Sequence, residues 1–158
     1  MPLDRSGQPV TILMADDDED DRELTRDALQ DARLAEEMKF VVDGQDLIDY
    51  LRREGRYADS SSADTPRPGI ILLDLNMPRK DGREALAEIK SDASLKEIPV
   101  VVLTTSNDET DVKHSYTLGA NSFITKPVTH TGLIDVMHSL TKYWLEVVAL
   151  PDESLPEE

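Results

Sequence analysis

Short runs of aliphatic residues most constrain how this chain can fold. The clearest three are dense in Ile, Val and Leu and lack the apolar–polar alternation of a strand with one face in water. Such runs are typical of a parallel sheet that is covered on both faces. We predict strands at Val10–Ala15, Ile70–Asp74, Pro99–Thr104 and Ser122–Thr125, and a weaker one at Lys39–Val42.

Amphipathic patterns between these runs predict helices. The fourth predicted helix has Asp108 as its N-cap and ends at Gly119, a residue favoured just after a helix. The fifth keeps an apolar period of 3.6 residues over its whole length, and Pro151 ends it. The five segments are Asp21–Arg33, Gln45–Glu54, Arg83–Ser91, Asp108–Leu118 and about Thr131–Ala149. This alternation favours an α/β sandwich with right-handed crossovers.

The remaining segments suggest one domain, residues 10–150, between a polar N-terminal extension (1–9) and an acidic tail (151–158). Residues 56–69 are polar and rich in Ser and Pro, which predicts an exposed loop. The extension does not resemble a signal peptide, and no apolar run approaches the roughly 20 residues that cross a bilayer. We therefore expect a cytoplasmic protein without membrane attachment. The absence of cysteine suits that reducing compartment.

Charge argues against a nucleic-acid partner. The chain has 33 acidic and 17 basic residues, a formal net charge of −16, and such a surface repels phosphate backbones. Many of the acids lie in residues 16–37. Most of these read as a solvated helix face, although crowded carboxylates can also hold a hard divalent cation.

Polar side chains follow the predicted strands where they end. Asp16 and Asp17 follow the first strand, Asp74 ends the third, Thr104 ends the fourth and Lys126 follows the fifth. Taken singly, each has an ordinary explanation as a helix cap, a turn residue, a strand-end hydroxyl or a surface lysine. Open α/β sheets bind ligands at the carboxyl ends of their strands, so the set together favours a shared site.

The chemistry of this set points to phosphoryl transfer. Grouped carboxylates raise each other's pKa, and a cation such as Mg²⁺ relieves their repulsion. A carboxylate can attack phosphorus to give an aspartyl phosphate. The transferring group then needs positive charge and hydrogen-bond donors, which Mg²⁺, Lys126 and Thr104 would supply.

The motifs around these residues resemble those of CheY-like response-regulator receiver domains of two-component signalling. They are Ile12–Asp17, Ile71–Pro78 with Asp81-Gly82, Val102–Thr105 and Lys126-Pro127, and the intervals between them are those that receivers show. The resemblance covers about residues 10–150. It implies a flavodoxin-like (βα)5 three-layer sandwich whose five-stranded parallel sheet has the order 2-1-3-4-5.

The resemblance also implies roles for individual residues. Asp74 would be the phosphoacceptor, with Thr104 and Lys126 as its catalytic partners. Thr104 and Phe123 would form the switch, and Phe123 would act by packing because it has no hydroxyl group. The Mg²⁺ ligands would be Asp16, Asp17, Asp74 and the backbone carbonyl of Asn76.

Two features depart from the common pattern. Asp18 adds a third acid to the run after the first strand, so the choice of metal ligands depends on that strand ending at Ala15. Thr105 stands where a small residue is frequent, which bears on access to the phosphoryl group.

The long loop before the third strand and the long last helix resemble, more narrowly, the stand-alone regulators that partner bacterial and cyanobacterial phytochromes. This implies a sensor histidine kinase as donor, and output through a downstream or phosphotransfer protein. The last helix is longer than its own core needs, which favours a homodimer; its residues could instead fold back on the same core. The candidate contact residues are Tyr143, Trp144, Val147 and Val148.

Three other classes fit less well. A haloacid-dehalogenase-like phosphatase needs an acid two residues after its nucleophile, where this chain has Asn76. A pseudo-receiver would lack the acceptor, an acid or the lysine. A flavodoxin-like cofactor binder needs a phosphate-cradling loop where this chain is acidic. We therefore expect a signalling receiver and not an enzyme, with catalysis limited to its own phosphorylation and dephosphorylation.

Overall fold

The computed structural model describes residues 10–31, 38–61, 64–147 and 149–151, in which strands and helices alternate. The strands are β1 (Ile12–Ala15), β2 (Met38–Val41), β3 (Ile70–Leu73), β4 (Val100–Thr104) and β5 (Ser122–Thr125). The α-helices are α1 (Glu19–Asp31), α2 (Gly44–Arg52), α3 (Gly82–Ser91), α4 (Glu109–Leu118) and α5 (His130–Thr141). A 3₁₀ turn (Gly55–Tyr57) follows α2, and a π-helical segment (Lys142–Val147) follows α5. The predicted N-terminal extension and the tail after Pro151 lie outside the described residues.

The strands form one parallel sheet with the order β2-β1-β3-β4-β5. Ile12 pairs with Met38 on one side and with Ile70 on the other, which places β1 near the middle of the sheet. The predicted α/β class, parallel sheet and strand order are confirmed. Sheets of this order bind ligands at the carboxyl ends of β1 and β3.

Both faces of the sheet are buried, which explains why its central strands show no polar alternation. Successive residues of a strand point to opposite faces. Leu13 and Leu73 lie in the core beneath α2 and α3, whereas Met14 and Leu72 lie in the core beneath α1 and α5. All four side chains are at most 1% exposed.

The ends of α4 match the sequence prediction. The Asp108 carboxylate accepts a hydrogen bond of 2.8 Å from the backbone N–H of Thr110. Gly119 has φ 108°, and its N–H donates to the carbonyls of Ser115 and Tyr116. Only glycine adopts that backbone conformation without strain, so it ends the helix where predicted.

The prediction of one α-helix continuing to Ala149 is wrong beyond Thr141, where the chain becomes π-helical. The Thr141 hydroxyl donates to the Met137 carbonyl at 2.8 Å, a local bond that competes with the α-helical ladder. A π-helical turn holds more residues than an α-helical one, so it rotates the side chains that follow. Tyr143 is 54% exposed, whereas Trp144 packs against the core beneath α1 and α5.

The segment 56–69 is only partly the exposed loop that its composition predicted. Tyr57 packs edge-on against Tyr50, with ring centroids 5.3 Å apart, and Thr65 is buried. The Tyr50 hydroxyl donates to the Pro66 carbonyl at 2.9 Å. Aromatic packing therefore covers part of this segment. None of the helices in the described ranges is long and apolar enough to cross a bilayer.

Val101 lies in β4 and is fully buried, whereas Val128 is fully exposed after β5. We expect Val101→Ala to lower the free energy of unfolding in urea by about 2 kcal/mol, because it leaves a cavity in the sheet. The same substitution at Val128 is the matched control, with an expected change within about 0.5 kcal/mol. Equal losses in the two variants would contradict this account of the core.

Candidate functional site

The sheet itself fixes the polar residues at its carboxyl edge. The backbone N–H of Asp74 donates to the Ala15 carbonyl at 3.0 Å, and that of Lys126 donates to the Thr104 carbonyl at 2.7 Å. The backbone N–H of Asp16 bonds in the same way to β2. These bonds extend the ladder one residue past each strand. The side chains therefore start from rigid backbone and not from loops.

Three carboxylates come together at this edge. Asp16, Asp17 and Asp74 each offer an oxygen, and these atoms all lie within 4.8 Å of one another. Asp16 and Asp74 are buried and Asp17 is exposed. Asp18 instead accepts a 2.9 Å hydrogen bond from the backbone N–H of Asp20 and so caps α1. We call Asp16, Asp17 and Asp74 the acidic group.

The Lys126 ammonium lies among these carboxylates. Its Nζ donates to Asp16 Oδ2 at 2.6 Å and to Asp21 Oδ2 at 2.7 Å, and it lies 3.7 Å from Asp74 Oδ2. The Lys126 side chain is 5% exposed, and a buried charge is tolerated only with such partners. Sequence reasoning missed Asp21. Its only signal was a place in the first turn of α1, where an acid is explained by the helix dipole.

Burial shapes the electrostatics of the site. It raises the pKa of the Asp16 carboxyl to about 6, although hydrogen bonds from Lys126 and from the amide of Asp18 act in the opposite direction. Burial alone would lower the pKa of Lys126, but the bonds to Asp16 and Asp21 outweigh it and raise that pKa. Clustered carboxylate oxygens are the ligands that a hard divalent cation prefers, and such a cation would favour the ionised form of Asp16.

The Thr104 hydroxyl is buried without a partner. Its side chain is 0% exposed, and its Oγ1 finds no hydrogen-bond partner in the part of the chain that the structure describes. An unsatisfied buried hydroxyl is costly and calls for an explanation. An oxygen-rich ligand bound at this edge would satisfy it.

Two further predicted residues lie at the margin of the site. The Asn76 side chain is exposed, and its backbone N–H lies 3.4 Å from Asp74 Oδ1. Phe123 is half-buried against the core beneath α2 and α3, and its N–H donates to the Tyr116 hydroxyl at 3.2 Å. Phe123 is thus held by packing at its ring, and its backbone by the pairing of β5 with β4 and by this bond to Tyr116.

An ion pair holds the loop between β3 and α3, which follows Asp74. Arg79 has φ 62° and bonds Asp43 through two nitrogens, at 2.7 and 3.1 Å. Burial would raise the pKa of Asp43, but Arg79 and the amide of Asp46 outweigh it and lower that pKa. The Gly44 N–H also donates to the Lys80 carbonyl at 2.9 Å. Sequence reasoning missed this tie, which joins the loops after β2 and β3.

Gly82 packs directly against the backbone of Asp74. A Cβ atom there would lie 2.2 Å from the Asp74 carbonyl oxygen, so no other residue fits without moving that backbone. Asp81, the residue before it, caps α3 by accepting a 2.6 Å bond from the Arg83 N–H. The Asp81-Gly82 pair of the sequence motif therefore sets how closely α3 approaches Asp74.

A second network ties α3 to the loop after β4. Arg83 bonds Asp81 at 2.9 Å and Asp111 of α4 at 2.9 Å, and the Ser106 hydroxyl donates to Asp111 at 2.6 Å. Ser106 lies two residues after Thr104. The loop that follows Thr104 is therefore restrained by a charged network that sequence reasoning also missed.

The chain belongs to the response regulator receiver domain family, whose model matches residues 12–138. It is 43% identical over 148 residues to response regulator Rcp1 of Synechocystis sp., covering 94% of this chain and 97% of that protein. The crystal structure of the Mn²⁺-bound form of Rcp1 matches with a TM-score of 0.83 and 42% identity, over 91% of this chain and 100% of that one. The crystal structure of the phosphorylated cyanobacterial phytochrome response regulator RcpA matches with a TM-score of 0.83 and 45% identity, over 90% and 99% of the two chains.

These similarities confirm the resemblance that the motifs indicated, both to receivers in general and to regulators of the phytochrome type. The predicted divalent cation is supported by the acidic group and by the metal in the structure of Rcp1.

We expect Thr104→Val to raise the free energy of unfolding by about 1 kcal/mol, because it removes an unsatisfied buried hydroxyl at nearly constant volume. Urea denaturation measures the change. Thr25→Val is the matched control, since the Thr25 hydroxyl is also buried without a partner among the described residues. A loss of stability in Thr104→Val alone would show that the Thr104 hydroxyl is bonded in solution.

Proposed function

We propose that the protein is a two-component response regulator that accepts a phosphoryl group from a sensor histidine kinase on Asp74. The observation that carries this proposal is the placement of a buried Asp74 beside two further carboxylates and an ammonium. The Thr104 hydroxyl, at the end of the neighbouring strand, has no hydrogen-bond partner among the described residues. Membership of the receiver family supports it independently.

In the proposed reaction an Asp74 carboxylate oxygen attacks the phosphorus of a phosphohistidine. The new O–P bond forms as the P–N bond breaks, and the imidazole nitrogen keeps the electron pair. Lys126 and Thr104 donate hydrogen bonds to the phosphoryl oxygens and hold them in place. Asp16, Asp17, Asp74 and the carbonyl of Asn76 would hold Mg²⁺, which would supply positive charge to balance the phosphoryl oxygens.

Catalysis in this proposal is limited to the protein's own phosphorylation and dephosphorylation. The second step is hydrolysis of the aspartyl phosphate, in which water attacks phosphorus and the Asp74 carboxylate leaves. Thr105 is exposed and follows Thr104 in the chain, and we expect its side chain to affect how water reaches the phosphoryl group. The protein has no separate substrate in this scheme.

Signalling would follow from the charge that phosphorylation adds. A phosphoryl group carries about −1.5 to −2 charges at neutral pH and would give the Thr104 hydroxyl a hydrogen-bond partner, which it lacks among the described residues. Movement of Thr104 would pull the loop that Ser106, Asp111 and Arg83 now tie to α3. The Phe123 ring would then repack, which makes α4 and β5 the bistable element.

A phytochrome kinase is the proposed donor, because structures similar to this chain include a cyanobacterial phytochrome response regulator and a bacteriophytochrome response regulator. A downstream or phosphotransfer protein would receive the signal. The reaction is proposed to take place in the cytoplasm.

We also propose a homodimer that forms through the end of α5 and the π-helical segment. Tyr143 supports it, because this large ring is 54% exposed and stacks edge-on against Trp144. Trp144 itself packs against the core beneath α1 and α5 of the same chain, as the alternative prediction for this segment expected. The Val147 side chain and all of Val148 lie outside the described residues, so their part in the contact stays a prediction.

Intact mass after incubation with acetyl phosphate and Mg²⁺ tests phosphoryl acceptance. We expect one added phosphoryl group on the parent, none on Asp74→Asn, and none on the parent when the metal is chelated. Adducts on both proteins would show that Asp74 is not the acceptor. The absence of an adduct on the parent, with rapid acid quenching, would contradict the proposal.

Sedimentation velocity tests the dimer. We expect Tyr143→Ser to shift the parent dimer towards monomer at least tenfold, because it removes an exposed aromatic anchor. Tyr116→Ser is the matched control, since Tyr116 is 50% exposed on α4. A monomeric parent, or a shift towards monomer with Tyr116→Ser alone, would contradict the proposal that Tyr143 lies in a dimer interface.

A further inference from the structure

Among the residues that the structure describes, Asp21 is the one partner of Lys126 that lies outside the acidic group. Its Oδ2 accepts a 2.7 Å hydrogen bond from Lys126 Nζ, and its side chain is 25% exposed. It stands in the first turn of α1, next to Arg22, whose guanidinium donates to the Asp16 carbonyl at 2.8 Å. The first turn of α1 is therefore bonded to the site at two points.

The geometry divides the three protons of the ammonium unequally. Asp16 and Asp21 accept bonds of 2.6 and 2.7 Å, whereas Asp74 lies at 3.7 Å, beyond hydrogen-bond distance. Asp16 is also a proposed metal ligand, so its oxygens would bind both the cation and Lys126. Asp21 is not a proposed metal ligand, and its carboxylate bonds Lys126.

We propose that Asp21 is a positioning residue that holds the Lys126 ammonium away from Asp74 and competes with the phosphoryl group for it. The inference rests on the proposed function and deepens it. A phosphoryl oxygen on Asp74 can take a full hydrogen bond from Lys126 only if the ammonium gives up part of its bonding to Asp16 or Asp21. The phosphoryl charge also repels the Asp21 carboxylate across a buried, weakly screened site.

Asp21 thus lowers the affinity of the site for a phosphoryl group. It does so through Lys126 and through its own charge, without contact with the reacting atoms. The same competition would carry the phosphorylation signal to the first turn of α1, since a displaced Lys126 loosens the bond that holds this turn.

Beryllofluoride, an analogue of the phosphoryl group on Asp, is the probe, with Mg²⁺ present and binding followed by titration calorimetry. We expect Asp21→Asn to bind it about five- to tenfold more tightly than the parent, because Asn keeps an oxygen for Lys126 but loses the charge. Asp20→Asn is the matched control. It makes the same change of charge one residue earlier, at an exposed position, and should stay within twofold of the parent.

Two more variants separate positioning from a general structural effect. Asp21→Glu restores the charge and should return the affinity to within about twofold of the parent. In a Lys126→Gln background, Asp21→Asn should lose the part of its effect that acts through Lys126 and keep only the part that comes from direct charge repulsion, so its gain in affinity should be smaller than in the parent background. A role confined to folding would show neither rescue nor dependence on Lys126.

The outcomes are distinguishable. A parent that binds no beryllofluoride and accepts no phosphoryl group contradicts the proposed function, and this inference falls with it. A parent that binds, with Asp21→Asn no tighter than Asp20→Asn, overturns the role of Asp21 and leaves the proposed function standing. Weaker binding by Asp21→Asn also overturns it, since Asp21 would then support Lys126 and not compete for it.

Discussion

The buried ammonium of Lys126 and the carboxylates around it are the interaction on which the arrangement of the site depends. Lys126 follows β5, Asp16 follows β1, Asp74 follows β3 and Asp21 lies in α1, so one ionic cluster joins four elements. Neither sign of charge could be buried there without the other, because an uncompensated charge in such a place is strongly destabilising. The carboxyl ends of β1, β3 and β5 must therefore lie at the same edge of the sheet. Their parallel arrangement in one sheet brings this about.

The apolar sheet makes this cluster effective. Both faces of the sheet are covered by helices, so the core shields the charges from water on those two sides. Electrostatic interactions are stronger in such surroundings than in water. Two ties also restrain the edge: Arg79 bonds Asp43 on one side, and Arg83 bonds Asp111 on the other. The Thr104 hydroxyl at this edge has no hydrogen-bond partner among the described residues, and a bound ligand would satisfy it.

Local patterns made much of the fold predictable from the sequence. Aliphatic runs identified the strands because a doubly covered sheet imposes that composition. Strand ends then identified the acidic group, since parallel strands bring their carboxyl ends together. The cap of α4 was predictable for the same reason, because Asp108 and Gly119 act on their own neighbours.

Contacts between distant segments could not be predicted in this way. Asp21, Arg79 and Arg83 each read as an ordinary surface residue until the fold brings it to a partner 28 to 105 residues away. The π-helical segment was missed because the spacing of apolar residues in the sequence does not distinguish a π-helical turn from an α-helical one. The covered part of the segment 56–69 was missed because composition alone does not show that Tyr57 packs on Tyr50.

The tie between Arg79 and Asp43 carries a consequence for the loop that bears Asn76. Arg79 adopts a left-handed backbone conformation, which is unfavourable for any residue with a Cβ. Its ion pair with Asp43 holds it in that conformation. The Arg79 side chain is 58% exposed, and dissolved salt weakens pairs that reach the solvent. Ionic strength therefore weakens a contact that holds this loop. Small ions in solution would influence the position of Asn76 without binding at the acidic group.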